Sequence, residues 1–327
     1  MAVSQAIAPR QAKDRPFVLK KGISTLSDLK DGGAGYPGDY PGVVYYVNNI
    51  TGNSAYDGLS WETPFAQVSE AVTASETSRA LPSGTTNDYV RNIIYVQGTG
   101  TAYAALTALP LYCDIIGIGA NVRGTNQGVP RIGLDTGATS GCVTTATVRG
   151  LGVYNMQFQA GVDKYPLDIA SMYRSEFVNC SFMTNGAATG RPNAGVRVSA
   201  AMGSTIFKDC FIGSSCSIAT EPDIGFSFEG TYFHNCLIEG CYICGTTAGI
   251  YLADTCNTNW GSMVKDCYIG DSSHACLLGV DDNSKPASQA RVVYAGNYIN
   301  AATAFELSYD HTRAIGNMAS GAFVASS

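Results

Sequence analysis

Phe177-Val-Asn179-Cys180-Ser-Phe182 and, thirty residues on, Phe207-Lys-Asp209-Cys210-Phe-Ile212 are two copies of one short phrase. The phrase recurs as Ile238-Glu-Gly240-Cys241-Tyr-Ile243, Val264-Lys-Asp266-Cys267-Tyr-Ile269 and Tyr294-Ala-Gly296-Asn297-Tyr-Ile299. Val153-Tyr-Asn155-Met156-Gln-Phe158 precedes these copies, and Ala314-Ile-Gly316-Asn317-Met-Ala319 ends the series. The cysteine-equivalent positions are 156, 180, 210, 241, 267, 297 and 317, spaced by 24, 30, 31, 26, 30 and 20 residues. A period of this size marks a solenoid, in which each repeat buries its apolar face only against its neighbours.

The columns of the repeat carry the physical argument. The residue before the cysteine position is Asn, Asn, Asp, Gly, Asp, Gly and Gly, the three types that enter the left-handed backbone region at least cost. One such residue turns the chain sharply between two strands without a long loop. Side chains alternate along a strand, so the cysteine position and the residue two beyond it point inward while the residue between them points outward. That outward residue is Phe211, Tyr242, Tyr268 and Tyr298 in successive copies, which predicts an aromatic ladder continued by Met318. A second strand follows each bend after a connection of variable length: Gly195 to Val198, Gly225 to Phe228, Gly249 to Leu252, Ala275 to Leu278, Ala304 to Leu307 and Ala322 to Val324. The predicted fold is all-β, a single-stranded right-handed parallel β-helix with an N-terminal capping helix.

Upstream, Val43-Val-Tyr-Tyr-Val47 reads as a strand, and Thr63 with Pro64 reads as the start of a helix carrying Phe65, Val68, Ala71 and Val72 on one face. Such a helix would close the open end of the solenoid. Strands at 92–96, 111–118 and 143–148 supply the first rungs. The division is therefore an arm and linker over residues 1–42 and a β-helix over 43–327, with the cap at about 43–80 and the rungs from about 90. Within residues 1–21 the arm carries Arg10, Lys13, Arg15, Lys20 and Lys21 against the single acid Asp14, and a Gly/Pro/Asp-rich linker runs from Asp31 to Gly42.

Composition narrows the partners. Charged residues make up 14% and the net charge is −6, so the body offers no general affinity for nucleic acid or anionic lipid. No apolar run reaches the roughly 18 residues that span a bilayer, and residues 1–21 lack the apolar stretch of a secretory signal. The 11 cysteines are odd in number and sit in apolar strand-like runs. They read as small buried hydrophobes with free thiols, folded in a reducing cytosol. Cys241-Tyr-Ile-Cys244 is the single CxxC and has no partner pair at zinc-finger spacing, so no metal or other cofactor is expected.

The run Tyr45-Tyr46-Val47, Gly52-Asn53, Asp57-Gly58-Leu59-Ser60, Thr63-Pro64-Phe65 and Ala71-Val72 resembles the N-terminal cap signature of pectin-lyase-like β-helix proteins. The Asn-Cys-x-Phe and Asp-Cys-x-Ile bends resemble rungs of the same superfamily, and together they cover about residues 43 to 327. The resemblance implies a fold but no single function, because the superfamily includes lyases, hydrolases, phage tail spikes and virion proteins. Trp-Ile-Asp-His-type and Arg-x-Pro-x-x-Arg-type segments of pectate lyases are absent, and neither Trp61 nor Trp260 lies in such a context.

A glycoside hydrolase needs two carboxyl groups about 5 to 9.5 Å apart. Acids at equivalent positions of adjacent rungs would meet this, and Glu229, Asp254, Asp282 and Asp310, each near the end of a second strand, form the candidate column. The bland alternative is that they solvate turns. Glu221 and Asp223 are weaker candidates, and His234, His274 and His311 are scattered. The favoured expectation is a virion-associated structural or interaction protein of a phage, a capsid decoration protein or a short spike. It would fold in the host cytoplasm, associate as a homo-oligomer with a trimer favoured, and dock to capsid or tail proteins through the basic arm. The alternative is a tail spike that binds or cleaves a surface glycan.

Overall fold

The structure is a computed structural model that describes residues 40–80, 90–120, 122, 128–133, 140–161, 164–184, 194–213, 222–256, 261–270, 276–284, 292–307, 313–319 and 322–323. Short strands stack into three long sheets. The first has ten strands, from Tyr40–Val47, Val90–Gln97 and Cys113–Ile118 through three-residue strands such as Glu176–Val178, Ile206–Lys208, Leu237–Glu239 and Met263–Lys265 to Arg313–Ile315. The second runs from Arg131–Ile132 through Gln157–Ala160, Ser181–Thr184, Phe211–Ile212, Tyr242–Ile243, Tyr268–Ile269 and Tyr298–Ile299 to Met318–Ala319 and Ala322–Phe323. The third runs from Cys142–Arg149, Leu167–Tyr173 and Ala194–Gly203 through Ile224–Phe228, Ala248–Leu252 and Cys276–Asp282 to Ala301–Leu307. Successive rungs pair in parallel, as a β-helix requires. Crossovers between parallel strands of one sheet wind right-handed.

The bends are where the repeat placed them. Asn155, Asn179, Asp209, Gly240, Asp266, Gly296 and Gly316 all have φ between 51 and 65°. A second bend lies five residues earlier, at Gly150, Arg174, Ser204, Asn235 and Gly261, again with positive φ. Each three-residue strand of the first sheet from Gly152–Tyr154 to Met263–Lys265 is thus held between two left-handed residues. Arg174 and Ser204 accept a conformation that costs an ordinary residue roughly 1 to 2 kcal/mol. Stacking offsets that cost: the Arg174 amide donates to Gly203 and the Ser204 amide to His234 on the next rung.

Inside, each sheet contributes a column of fully buried side chains. They include Phe177, Phe207, Ile238, Val264 and Tyr294 from the first sheet, Phe158, Phe182, Ile212, Ile243 and Ile269 from the second, and Val196, Phe226, Ile250 and Val280 from the third. Burying each stabilises by roughly 1.5 to 3 kcal/mol against an exposed side chain. Aromatic rings stack along the axis, as Phe177 on Phe207 at 4.8 Å does.

Two local expectations need correction. The helix, α1, is Val68–Arg79 and does not start at Thr63: Gln67 is the cap, and the Glu70 carboxylate accepts the amides of Ala66 and Gln67. Thr63 instead gives its hydroxyl to Asp57 in the preceding loop. Val68, Ala71 and Val72 do face the core, so α1 is the lid at this end. At the other end, Ala322–Phe323 does not continue the third sheet but folds back antiparallel on Met318–Ala319. Among the described residues no helix is long and apolar enough to cross a membrane.

Candidate functional site

The outward position of the second sheet builds an aromatic ladder. Phe211, Tyr242, Tyr268 and Tyr298 are in register on four consecutive strands. Their rings stack at centroid separations of 4.5, 5.3 and 4.7 Å, with interplanar angles of 5, 4 and 20°. Met318 continues the column on the last rung. Upstream, the same column is Gln157 and Ser181, both fully buried, and the Gln157 side-chain amide donates to the carbonyl of Val122. The column therefore emerges along the solenoid: Phe211 is 9% exposed and Tyr268 37%. Because the rings lie flat on one another, their faces are occupied within the stack, and what reaches outward is a row of ring edges.

Behind the ladder, one residue back in sequence, stands the inner column of Met156, Cys180, Cys210, Cys241, Cys267, Asn297 and Asn317, all buried. Each thiol of the four cysteines lies within hydrogen-bonding reach of two carbonyls, as Cys180 does with Val153 and Val178 at 3.3 and 3.4 Å. Burial pushes the Cys210 and Cys241 thiols well above the ordinary cysteine value, and the neighbouring Cys241 sulfur followed by burial does the same to Cys267. These thiols are therefore neutral and poor nucleophiles. All ten described cysteines, Cys244 of the CxxC included, are buried thiols.

The acids divide into two groups. Burial raises the Tyr251 hydroxyl, and Asp281, Asp254 and Glu229 add to the effect, so Glu229 and Asp254 do gather around one tyrosine on the outer face of the third sheet. They are not in one register column, however. Phe228, Leu252 and Asp282 are the aligned residues, which leaves Glu229 one position and Asp254 two positions past the column that Asp282 occupies. Asp282 turns inward, where it is fully buried and accepts hydrogen bonds from the Tyr294 hydroxyl at 3.2 Å and the Ser284 amide at 3.0 Å. Glu229 is held by Arg197 at 2.8 Å, with Asp168 on the other side of that guanidinium. Its Oε1 also lies 3.2 Å from the Ser227 hydroxyl.

The register pair that sequence reading missed is Asp281 and Glu306, on adjacent strands of the same outer face. Burial raises the Asp281 carboxyl, opposed by its bond from Asn283 and reinforced by Glu306. Asp281 was hidden by its neighbour: two consecutive aspartates alternate in and out, and only the strand register tells which is which. Asp310, Glu221, Trp260, His274, His311 and the arm residues Arg10, Lys13, Arg15, Lys20 and Lys21 lie outside the described residues. Burial lowers the pKa of His234, in the strand Tyr232–His234, and Tyr232 packs beside it. Among the described residues, no three His, Cys, Asp or Glu side chains are grouped to hold a metal ion.

No protein-family model matches the sequence, and no curated protein matches it. Among solved structures, the chain is similar to the pectin methylesterase PemA from Erwinia chrysanthemi at 12% identity and a TM-score of 0.44, over 86% of this chain and 90% of that one. It is similar to the pectate lyase Pel9A at 12% identity and a TM-score of 0.48, over 86% of this chain and 78% of that one. A GH136 lacto-N-biosidase from Eubacterium ramulus aligns at 10% identity and a TM-score of 0.30, over 78% of this chain and 55% of that one. Resemblances this distant leave the assignment to the strand pairing itself, and by that pairing the chain is a parallel β-helix.

Proposed function

We propose that this chain is a structural or interaction protein of a phage virion, a capsid decoration protein or short spike, whose working surface is the aromatic ladder Phe211, Tyr242, Tyr268 and Tyr298. The observation that carries the reading is the stack itself. A sugar ring stacks on the face of an aromatic, whereas here the faces are used within the ladder and edges point outward. A row of rigid aromatic edges suits packing against protein, where tyrosine supplies large area at small conformational cost. Assignment to a virion draws on the sequence: the thiols suit a protein folded in a reducing compartment, and the arm with Arg10, Lys13, Arg15, Lys20 and Lys21 suits docking to an acidic capsid or tail surface.

The test has two parts. Purified particles should contain this polypeptide, and replacing Tyr242 and Tyr268 together with Ser should lower its occupancy on them while leaving the fold intact. Absence from particles, or unchanged occupancy with a glycan-binding activity lost instead, would overturn the reading.

One observation favours a second reading. Asp281 and Glu306 are in register on adjacent strands, about 4.8 Å apart in the backbone, beside Tyr251. Side chains in such register can bring their carboxyl groups to the roughly 5 to 5.5 Å of a retaining glycosidase. On this reading Asp281→Asn abolishes depolymerisation of a surface polysaccharide with the melting temperature unchanged. A wild-type protein that cleaves no such polysaccharide removes it.

A further inference from the structure

The first sheet carries a second outward ladder, of a different chemistry. Its three-residue strands turn the middle residue inward, so the flanking residues face out. The first flanking column reads Ile206, Leu237, Met263 and Val293 on four consecutive strands, all in register and all half-exposed. Glu176 precedes this stripe on the rung before it, and Arg313 holds the same register position on the rung after it. The second flanking column beside it is charged: Lys208, Glu239 and Lys265, with Lys265 and Glu239 paired at 2.7 Å.

The aliphatic stripe and the aromatic ladder occupy the same four rungs. Ile206 and Phe211, Leu237 and Tyr242, Met263 and Tyr268, and Val293 and Tyr298 are each five residues apart, on either side of the bends at Asp209, Gly240, Asp266 and Gly296. The two columns thus span the same four rungs, about 14 Å at 4.8 Å per rung, and lie at the same heights on adjoining walls of the solenoid, the aromatic one open to solvent from Tyr242 on. The charges between them are complementary: the exposed Lys208 and the half-exposed Lys265 lie on the aliphatic side, and the exposed Asp209 and Asp266 mark the corner that leads to the aromatic side.

Resting on the reading of the ladder as a protein contact, we propose that its partner is the Ile206–Leu237–Met263–Val293 stripe of a second copy of this chain. Rotation about an axis parallel to the solenoid, with no shift along it, sets the stripe of one copy against the ladder of the next, rung for rung. Lys208 and Lys265 of one copy then approach Asp209 and Asp266 of the other. Such a contact joins two different surfaces, so it closes only as a ring of three or more parallel subunits.

The experiment uses two full-length variants, one with the ladder broken (Tyr242→Ser with Tyr268→Ser) and one with the stripe broken (Leu237→Ser with Met263→Ser). Molar mass in solution is measured by light scattering, and circular dichroism melting confirms folding. Wild type should have the mass of three or more chains, and each variant alone should be monomeric, its association weakened at least tenfold. The equimolar mixture should form a dimer and stop there, because the intact stripe of one variant meets the intact ladder of the other. A third variant, Lys208→Glu with Lys265→Glu, alters surface charges only and should weaken association at low salt and recover at high salt. If the stripe variant assembles like wild type while the ladder variant does not, the inference fails and the ladder keeps its role with another partner. A mixture that stays monomeric shows that the stripe of one chain does not bind the ladder of another and also overturns it. A wild-type protein that is monomeric at every concentration overturns it too, and particle occupancy then decides the role of the ladder separately.

Discussion

The inner column of the solenoid is built in two ways. From Cys180 to Cys267 it is a stack of thiols; from Asn297 to Asn317 it is a stack of amides, at the same place in the repeat, just after a left-handed residue. Both face the backbone amide of the rung before. The Cys180 amide is directed at the Cys210 sulfur, the Cys210 amide at Cys241 and the Cys241 amide at Cys267. The Cys267 amide is met by the Asn297 side-chain oxygen at 2.9 Å and the Asn297 amide by that of Asn317, also at 2.9 Å. The asparagines add donors as well, Asn297 to Val264 and Asn317 to Tyr294. Sulfur accepts weakly and fills space like a methyl group, whereas an amide binds strongly and must be satisfied on both sides. One half of the wall is therefore held by packing and the other by a closed polar network, which is unforgiving of a missing member.

The largest expected effect is a fall in stability at alkaline pH, and it comes from two buried thiols outside that column. Burial raises the thiols of Cys113 and Cys236 from 9.0 to about 12. Below pH 9 both the folded and unfolded chains keep these protons, so stability is flat. Between pH 9 and 12 the unfolded chain releases them first, and stability must fall. Melting temperature should be constant from pH 6 to 8.5 and decline steadily above 9, without reference to the amide stack. A flat profile to pH 11 would show that the thiols are not sealed.

Next in size is Asn297→Leu, which strands the Cys267 amide and removes the side-chain donor to the Val264 carbonyl and to the Asn317 oxygen. One stranded buried amide at roughly 1 to 3 kcal/mol and two lost hydrogen bonds at roughly 1 kcal/mol each give an expected loss of about 3 kcal/mol in urea unfolding. Smaller is Cys210→Asn, which places an amide between two thiols and should cost about 1 to 3 kcal/mol through overpacking and incomplete pairing. Smallest is Cys267→Asn, which extends the amide stack by one rung beside Asn297 and should cost under about 1 kcal/mol. Equal losses for the last two would erase the distinction between the halves.

How far the sequence discloses this depends on whether a residue's own chemistry or its neighbours decide its conformation. The bends at Asn155 to Gly316 were legible because Asn, Asp and Gly favour left-handed backbone on their own. The companion bends at Arg174 and Ser204 were not, because those residue types do not ask for φ near 50° and only stacking imposes it. The ladder Phe211, Tyr242, Tyr268 and Tyr298 followed from strand alternation, which is local. The aliphatic stripe was equally alternating, but with the strands reduced to three residues its outward side could be told only once the second bend was known. The acids Glu229, Asp254 and Asp282 were grouped as strand ends, yet Phe228, Leu252 and Asp282 share the last register position of their strands, so Asp282 lies inside the strand and turns inward, Glu229 and Asp254 lie beyond it, and Asp281 takes the outward place. The helix start was misplaced because Pro64 suggested a first turn that Gln67 and Glu70 provide instead.

The claim on which the functional account rests is that the tyrosine ladder lies in a protein contact, and selective nitration of tyrosine reads this directly. Tyr268 should react in the dispersed chain and be protected in the assembled particle or oligomer, while Tyr294, fully buried in the core, stays unreactive in both. Equal nitration of Tyr268 in the dispersed and assembled states would contradict the account.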